Sequence, residues 1–324
     1  MDLRGKILLV IGGAGLIGSH TVDALLETEA AEIRIFDNFS SGREENIRSA
    51  LRDPRVHVFE LGGEILHRDI LDAAMRGVDG VFHFAGVWLL HCQDYPRTAF
   101  EVNVGGTFNV LEAMVNNGVK RLVFSSSASV YGDAVEEPMT EDHPYRNETF
   151  YGATKIAGEQ ICRALFARYL GTERRFDYVA LRYMNVYGPR QVGHGAYASV
   201  ITQMLSRIER GLPPTVHGDG SQAFDFVDVS DCARANVCAM HADATNECYN
   251  VASGTKTTIQ ELARMLLDLS DSSLEIEYGA MDRPRVRTRV GSQEKARVGL
   301  GFVAEIGLRE GLRKLIDWRR LRPI

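Results

Sequence analysis

Residues 6–18 have the sequence KILLVIGGAGLIG, an apolar run followed by glycines at positions 12, 13, 15 and 18. The run predicts a buried strand at Lys6–Ile11, and the amphipathic stretch Leu16–Glu27 predicts a helix after it. Gly12 permits a tight turn, Gly15 lets the backbone approach a pyrophosphate, and Gly18 allows the helix to pack closely on the strand. The stretch therefore predicts a phosphate-binding turn between a strand and a helix.

An acidic residue at the end of the next predicted strand extends this pattern. The strand Glu32–Asp37 ends 19 positions after Gly18, close to the roughly 20-residue spacing of a ribose-binding carboxylate. Asp37 would accept hydrogen bonds from ribose hydroxyls and repel a 2′-phosphate, which favours NAD over NADP. Arg43 either softens this preference or is an ordinary surface arginine.

The alternation of short apolar runs with amphipathic stretches continues outward from this motif. It predicts an α/β fold, a Rossmann-type doubly wound parallel sheet with a smaller α/β substrate-binding lobe. We expect a cofactor domain over residues 1–185, to which 225–252 returns, and a lobe over 186–324. The further predicted strands are Val56–Glu60, Gly80–Phe84, Arg121–Ser125, Tyr178–Arg182 and Cys248–Ala252. The further predicted helices are Ile65–Met75, Thr98–Asn117, Ala153–Tyr169, Ile259–Leu269, a short one from Ser292, and Gly307–Arg319.

The composition is that of an ordinary globular protein. With 324 residues, 45% hydrophobic residues and a net charge of −6, nothing favours nucleic acid or a membrane surface as a partner. No apolar run approaches the roughly 18–20 residues that span a bilayer. The five scattered cysteines have no metal-binding spacing and predict reduced thiols in a cytoplasmic protein. Near the end, Arg319, Arg320 and Arg322 predict a solvated basic tail.

A tyrosine and a lysine four residues apart suggest chemistry. Tyr151 and Lys155 stand at the start of a predicted helix, so both side chains share one face. A phenol with a pKa near 10 needs help to act as a base at neutral pH, and the lysine charge favours the phenolate. Ser127, just past the strand Arg121–Ser125, can orient the same substrate hydroxyl. Such a pair also arises by chance, and a serine at a strand end is commonly part of a loop.

Four blocks of sequence together point to a known family. The chain resembles extended short-chain dehydrogenases/reductases of the NAD-dependent nucleotide-sugar epimerase/dehydratase type over nearly its whole length. The blocks are the glycine turn with DNFSSG at 37–42, SSSASVYG at 125–132, YGATK at 151–155 and LRYMNVYGPR at 181–190.

The resemblance implies NAD as cofactor and a UDP-linked nucleotide sugar as substrate. It also implies a homodimer paired through the helices Thr98–Asn117 and Ala153–Tyr169. Ser127, Tyr151 and Lys155 match the catalytic positions, and Glu64 stands where the family usually has Asp. The implied cofactor-binding residues are Gly12, Gly15, Leu16, Ile17, Asp37, Asn38, Ser41, Gly42, Glu64, Ile65, Phe84, Ala85, Gly86, Asn103, Ser125, Tyr151, Lys155, Tyr183 and Met184. The implied substrate-binding residues are Ser127, Tyr151, Asn185 and Arg283.

The residues after Ser127 indicate the type of reaction. Dehydratases of the family have an Asp-Glu pair there, and sugar decarboxylases keep the Glu, whereas this chain has Ala128 and Ser129. Without these acids, the reaction is expected to be redox chemistry at a single carbinol carbon. The simplest such reaction is C4 epimerisation through a 4-keto sugar. The alternatives are a ketoreductase or dehydratase of the same family, or a non-catalytic NAD-binding protein.

The sugar is left open among a UDP-hexose, a UDP-N-acetylhexosamine and a UDP-uronate. The segment GAYASVI at 195–201 resembles epimerases of UDP-N-acetylhexosamines. Phe224 replaces a usual diphosphate-binding arginine, and Asp228 replaces a usual aromatic residue. An alternating set of arginines could supply the missing positive charge, or it could form a solvated edge of a strand. Arg289, the last of the set, would also suit a sugar carboxylate. The set is Arg283, Arg285, Arg287 and Arg289.

Overall fold

The computed structural model describes residues 1–191, 198–280 and 286–321. Its strands are β1 (Ile7–Ile11), β2 (Glu32–Phe36), β3 (Val56–Val58), β4 (Gly80–His83), β5 (Arg121–Ser127), β6 (Asp177–Tyr183), β7 (Asn185–Tyr187), β8 (Thr215–His217), β9 (Ala223–Phe224), β10 (Phe226–Asp228), β11 (Glu247–Val251), β12 (Thr257–Thr258), β13 (Glu277–Gly279) and β14 (Thr288–Arg289). Its α-helices are α1 (Leu16–Leu26), α2 (Glu44–Ile47), α3 (Arg68–Ala74), α4 (Leu89–Asp94), α5 (Pro96–Thr98), α6 (Thr107–Asn117), α7 (Phe150–Tyr169), α8 (Val200–Glu209), α9 (Val229–His241), α10 (Ile259–Leu269), α11 (Glu294–Leu300) and α12 (Leu308–Arg320).

A seven-stranded parallel sheet forms the centre, in the order β11-β6-β5-β4-β1-β2-β3. This is the doubly wound arrangement, in which the order of the strands reverses between β1 and β4. It confirms the predicted Rossmann-type fold. Parallel strands are covered on both faces, which explains why β1 is apolar throughout rather than alternating. The carboxyl ends of β1 and β4 meet at the reversal point, where ligands bind in such sheets.

Helices cover both faces of the sheet. Leu8 and Val10 pack into one hydrophobic cluster with α1 and α9. Leu9 and Ile11 pack into the opposite cluster with α3, α6 and α7. This division follows from the two-residue period of a strand. A third cluster is built from α8, α10 and α12.

The last strand of the sheet comes from the second half of the chain. β11 pairs with β6 in parallel, so the predicted run Cys248–Ala252 does join the sheet. The predicted limits of the cofactor domain and the lobe stay a prediction. The predicted capping box of α10 is confirmed, because Thr258 and Glu261 each cap the other's backbone N–H.

Several elements differ from the sequence-based expectation. Helix α3 begins at Arg68 rather than Ile65. The predicted helix Thr98–Asn117 is divided into α5, a π-helical turn at Ala99–Gly106 and α6. Helix α7 begins at Phe150 rather than Ala153, because the Thr149 side chain accepts a hydrogen bond from Gly152 N and caps the helix.

The expected solvated tail also differs, and for Arg319 that expectation was wrong. Arg319 is only 8% exposed, and its guanidinium donates to both carboxylate oxygens of Glu209 at 2.7 and 2.6 Å. Its apolar stem is buried on one face of α12 while its charge is paired. Arg320 is exposed, and Arg322 lies outside the described residues. No helix in the described ranges is long and apolar enough to cross a membrane.

Candidate cofactor and active site

The turn after β1 requires glycine at its first and last positions. Gly12 has φ +80°, and a Cβ built there would lie 2.7 Å from Ala85 N. A Cβ on Gly18 would lie 2.1 Å from Gly12 O. Helix α1 begins after Gly15 without a side-chain cap, so the N–H groups of its first turn, starting at Leu16 and Ile17, remain available to phosphate oxygens. The turn therefore fits a pyrophosphate.

Asp37 is bound to the glycine turn itself. Its Oδ2 accepts a hydrogen bond from Ala14 N and its Oδ1 one from Phe39 N, both at 2.8 Å. Burial raises the pKa of this carboxyl, and the two backbone hydrogen bonds oppose that shift. Each oxygen keeps a second lone pair with which to accept from a ribose hydroxyl. A Cβ on Gly42 would lie 2.8 Å from Asp37 Oδ1, so the loop closes tightly over the acid.

The residues expected around the adenosine lie beside Asp37. Asn38 Nδ2 donates to Glu64 Oε2 at 2.8 Å, which gives the Glu that replaces the usual Asp a defined partner. Ile65 is buried, and a Cβ on Gly106 would lie 2.4 Å from its Cδ1. Ser41 is exposed. Arg43 is exposed too and pairs with Glu45 at 3.4 Å, in agreement with an ordinary surface arginine.

The loop after β4 meets the π-helical turn and α7 at one point. Asn103, on the π-helical turn, accepts from Val87 N and donates to Thr154 Oγ1 at 2.8 and 3.1 Å. A Cβ on Gly86 would lie 3.0 Å from Asn103 Oδ1 and 3.8 Å from Lys155 Nζ. Extra backbone turns of this kind often occur at functional sites. The segment Phe84–Gly86 is thus held close to the predicted catalytic lysine.

Strand β5 and helix α7 bring the predicted catalytic residues together. Lys155 is buried, and its Nζ donates to Ser125 O at 2.8 Å. The same Nζ lies 5.6 Å from the centre of the Tyr151 ring. The Ser127 hydroxyl accepts a hydrogen bond from Ser129 N at 3.1 Å. It also forms a hydrogen bond with the Tyr151 phenol.

Burial controls the ionisation of this pair. It raises the pKa of Tyr151 to about 12, against the hydrogen bond with Ser127, which favours the phenolate. Burial also lowers the pKa of Lys155 to about 8. Lys155 therefore loses its proton before Tyr151 does. This differs from the expectation that the lysine charge brings the tyrosine pKa down.

A buried ion pair that the sequence-based analysis missed lies behind the site. Arg182 on β6 donates to both oxygens of Glu159 on α7, at 2.9 and 2.7 Å, and their side chains are 4% and 2% exposed. Glu159 also accepts from Ser126 Oγ and Tyr145 Oη. An available signal was Glu159 itself, a charged residue one turn after Lys155 on the same helix face.

Tyr183 ends β6, and Met184 and Asn185 follow it directly. Tyr183 Oη donates to Asn236 Oδ1 at 2.6 Å, which fixes the ring against α9. Met184 is buried, and a Cβ on Gly291 would lie 2.4 Å from its Cε. Asn185 Nδ2 is buried without a hydrogen-bond partner in the described part of the chain. An unpaired buried donor of this kind is available to a ligand oxygen.

The substrate positions that differ from the family pattern have structural explanations. Asp228 is the N-cap of α9, where its Oδ1 accepts from Ser230 N at 2.8 Å. The ring of Phe224 packs edge-on against that of Phe226, with 6.4 Å between the ring centres, so Phe224 is part of an apolar cluster. Its pairing partner across the parallel strands is Arg289. Of the sequence predicted to face the substrate, Arg283, Arg285 and residues 195–197 lie outside the described residues.

A cavity of about 620 Å³ opens next to this region. The segments Gly132–Ala134 and Arg146–Phe150 line it, together with Leu89 and Arg289. Within the described ranges, no group of three or more His, Cys, Asp or Glu residues is placed to hold a metal ion.

Comparisons with known proteins agree with this geometry. The family model described as the NAD dependent epimerase/dehydratase family matches residues 8–252. The UDP-glucose 4-epimerase of Mycolicibacterium smegmatis is 32% identical over 96% of this chain and 98% of its own length.

Two solved structures are similar over almost the whole fold. The UDP-N-acetylglucosamine 4-epimerase of Methanobrevibacter ruminantium, in complex with UDP-N-acetylmuramic acid, has a TM-score of 0.90 at 30% identity, covering 99% of this chain and 100% of that one. The dTDP-glucose 4,6-dehydratase of Streptomyces venezuelae, solved with NAD bound, has a TM-score of 0.89 at 28% identity, covering 98% of both chains. The chain therefore belongs to the NAD-dependent epimerase/dehydratase family, and its cofactor is NAD.

Proposed function

We propose that the chain inverts the C4 configuration of a UDP-linked sugar through a transient 4-keto sugar. The observation that supports this most is the composition of the site around Ser127. Tyr151 and Lys155 lie one helical turn apart beside it, while the next two residues are Ala128 and Ser129. The site thus has groups to move a proton at one hydroxyl and lacks a carboxylic acid at the position where the dehydratases have two.

Each residue of the site has a separate role in this proposal. Tyr151 takes the proton of the C4 hydroxyl and later returns it, and Ser127 orients that hydroxyl. Lys155, held on Ser125 O, binds the nicotinamide ribose; once it has lost its own proton it takes the phenol proton as Tyr151 takes that of the C4 hydroxyl, and the transfer reverses when the proton is returned. Bound NAD supplies the hydride acceptor and donor for C4. Asp37 and the turn from Gly12 hold the other end of the cofactor.

Loss of water from the sugar is disfavoured by the residues after Ser127. Dehydration requires acid and base groups at carbons next to C4. Ala128 has no proton to exchange, and Ser129 is 8% exposed with its backbone N–H directed at Ser127. The rival functions are a cofactor-consuming ketoreductase or dehydratase, and a non-catalytic NAD-binding protein, which would have no use for the aligned pair.

The partners follow from the same proposal. The sugar is a hexose, an N-acetylhexosamine or a uronate, and Asn185 is the proposed donor to its diphosphate. We also propose a homodimer, because Phe100 and Phe108 are 58% and 43% exposed on the helical segments that pair in the family. The five free cysteines agree with a reducing compartment such as the cytoplasm.

Nuclear magnetic resonance separates these functions. The NAD-loaded protein is incubated with UDP-glucose, UDP-N-acetylglucosamine and UDP-glucuronate in turn, without added reductant. An epimerase yields the C4 epimer of at least one sugar while the nicotinamide absorbance stays constant. A stoichiometric change in that absorbance would support a ketoreductase instead, and loss of water from the sugar would support a dehydratase. Absence of any conversion with NAD bound would support a non-catalytic protein.

A further inference from the structure

The cavity of about 620 Å³ is lined by two segments that adjoin the proposed catalytic residues in the sequence. Gly132–Ala134 begins five residues after Ser127, and Arg146–Phe150 ends immediately before Tyr151. Both walls therefore continue from the residues that would hold the reacting carbinol. A substrate group in this cavity belongs to the sugar rather than to the adenosine end near Asp37.

Arg289 brings a positive charge to the wall of this cavity. Its Nε and Nη2 donate to Gly132 O at 3.4 and 3.2 Å, and both hydrogen bonds of its side chain within the described residues go to this neutral carbonyl. Burial lowers its pKa to about 10, so it stays charged at neutral pH. The nearby carboxylate of Asp133 is held by the backbone, because its Oδ1 accepts from Arg287 N and Thr288 N.

We propose that Arg289 binds a carboxylate on the sugar, so that the substrate is a nucleotide-linked acidic sugar of the uronate class. A guanidinium fork matches a carboxylate with two parallel hydrogen bonds, which makes charge and shape complementary. Of the other charged side chains of the lining, Asp133 is half-buried with its Oδ1 bound to backbone N–H groups, and Arg146 and Glu148 are exposed and of opposite sign. This inference rests on the proposed function, since it specifies the substrate of that site.

The substrate diphosphate is the other possible source of an oxyanion. Arg289 is the pairing partner of Phe224, where relatives have a diphosphate-binding arginine. Side chains of paired residues point to the same face of a sheet. The position of Arg289 along the wall that continues from Ser127 favours the sugar carboxylate, and a binding experiment distinguishes the two sources.

The experiment measures dissociation constants by calorimetry with three ligands: UDP, UDP-glucose and UDP-glucuronate. It uses the NAD-loaded Tyr151→Phe protein, so turnover does not interfere. Arg289→Met removes the charge, and Arg289→Lys keeps it without the fork. Arg287→Met is the matched control, since this arginine lies two residues away and is exposed. The amount of bound NAD verifies folding of each variant.

We expect the unsubstituted site to bind UDP-glucuronate more tightly than UDP-glucose. Arg289→Met should weaken the binding of UDP-glucuronate by roughly 10- to 100-fold and leave the dissociation constants of UDP and UDP-glucose nearly unchanged. Arg289→Lys should cause a smaller loss, and Arg287→Met none.

Equal weakening of all three ligands would show that Arg289 binds the diphosphate and would overturn the proposal, as would no weakening at all. If Arg289→Met does not fold, the Lys variant decides, because a diphosphate contact would weaken all three ligands there too. Tight UDP-glucuronate binding by the Tyr151→Phe protein, without conversion by the unsubstituted enzyme, would contradict the proposed function alone.

Discussion

Lys155 Nζ donates a hydrogen bond to Ser125 O, and this buried contact joins helix α7 to strand β5. Tyr151 lies one turn before Lys155 on the helix, and Ser127 lies two residues after Ser125 on the strand. The contact therefore fixes the tyrosine relative to the serine. A lysine held in this way keeps two of its three N–H donors for other partners.

Replacing Tyr151 by Phe should abolish turnover while NAD stays bound. The ring and its packing are kept, but the group that moves the proton is lost, so kcat should fall by roughly 100- to 10,000-fold. Tyr169→Phe, at the far end of the same helix, is the matched control and should leave kcat unchanged. Turnover by the Tyr151→Phe protein at the original rate would refute the role given to Tyr151.

Activity should depend on pH through the Tyr–Lys pair. Tyr151, a neutral phenol at these pH values, can accept the substrate proton only while it passes its own proton to a neutral Lys155, and Lys155 becomes neutral as pH rises through its pKa of about 8. The rate should therefore fall as pH decreases below about 8. The measurement is kcat/KM against pH, and a profile that stays flat from neutral to mildly alkaline pH would contradict this assignment.

Replacing Asp37 by Ser should shift the cofactor preference toward NADP. The substitution removes the acceptor for the ribose hydroxyls and the charge that repels a 2′-phosphate. The ratio of NAD affinity to NADP affinity should fall by roughly 10- to 100-fold. Fluorescence titration with both cofactors measures this ratio. Asp317→Ser on the distant helix α12 should not change it, and an unaltered ratio in Asp37→Ser would rule out this role.

Replacing Arg182 by Met should destabilise the fold. It leaves the Glu159 carboxylate buried without its cation, which costs about 3–5 kcal/mol of unfolding free energy. Arg175→Met breaks an exposed pair with Asp177 and should cost about 0–1 kcal/mol. Urea unfolding of both variants measures the difference. Equal losses would mean that the buried pair contributes no more than a surface one.

Replacing Phe100 by Glu should convert a dimer to a monomer. The side chain is 58% exposed, and a charge in an apolar contact would be desolvated without a partner. Light scattering measures the molar mass of both proteins. Val298→Glu, equally apolar and 70% exposed on α11, is the control and should remain dimeric. A monomeric unsubstituted protein would refute the dimer itself.

The cofactor half of the site was predictable because its signals are local. The glycines at 12 and 18 are fixed by contacts within the turn and with the loop after β4, and Asp37 follows from the spacing alone. The doubly wound parallel fold class follows from the alternation of apolar runs and helices. Such patterns can be recognised in a sequence because each of them lies within a single strand, turn or helix.

Features that depend on distant pairing were not predictable. Arg319 is buried because Glu209, 110 residues earlier, neutralises it. The pairing of Arg289 with Phe224 depends on how β14 adds to β9, and two-residue strands have no periodicity of their own. Likewise, the start of α7 was misplaced because Thr149 caps it ahead of the apolar pattern.

The late position of β11 in the chain has a consequence for biosynthesis. Until residue 251 of 324 has emerged from the ribosome, β6 is the edge of the sheet, and its backbone N–H and C=O groups lack their last partner. Unpaired edges of this kind promote aggregation of nascent chains. A fragment ending at residue 185 would contain the whole glycine turn and the catalytic helix, yet we expect it to precipitate. Adding residues 225–252 as a separate peptide should increase the soluble fraction.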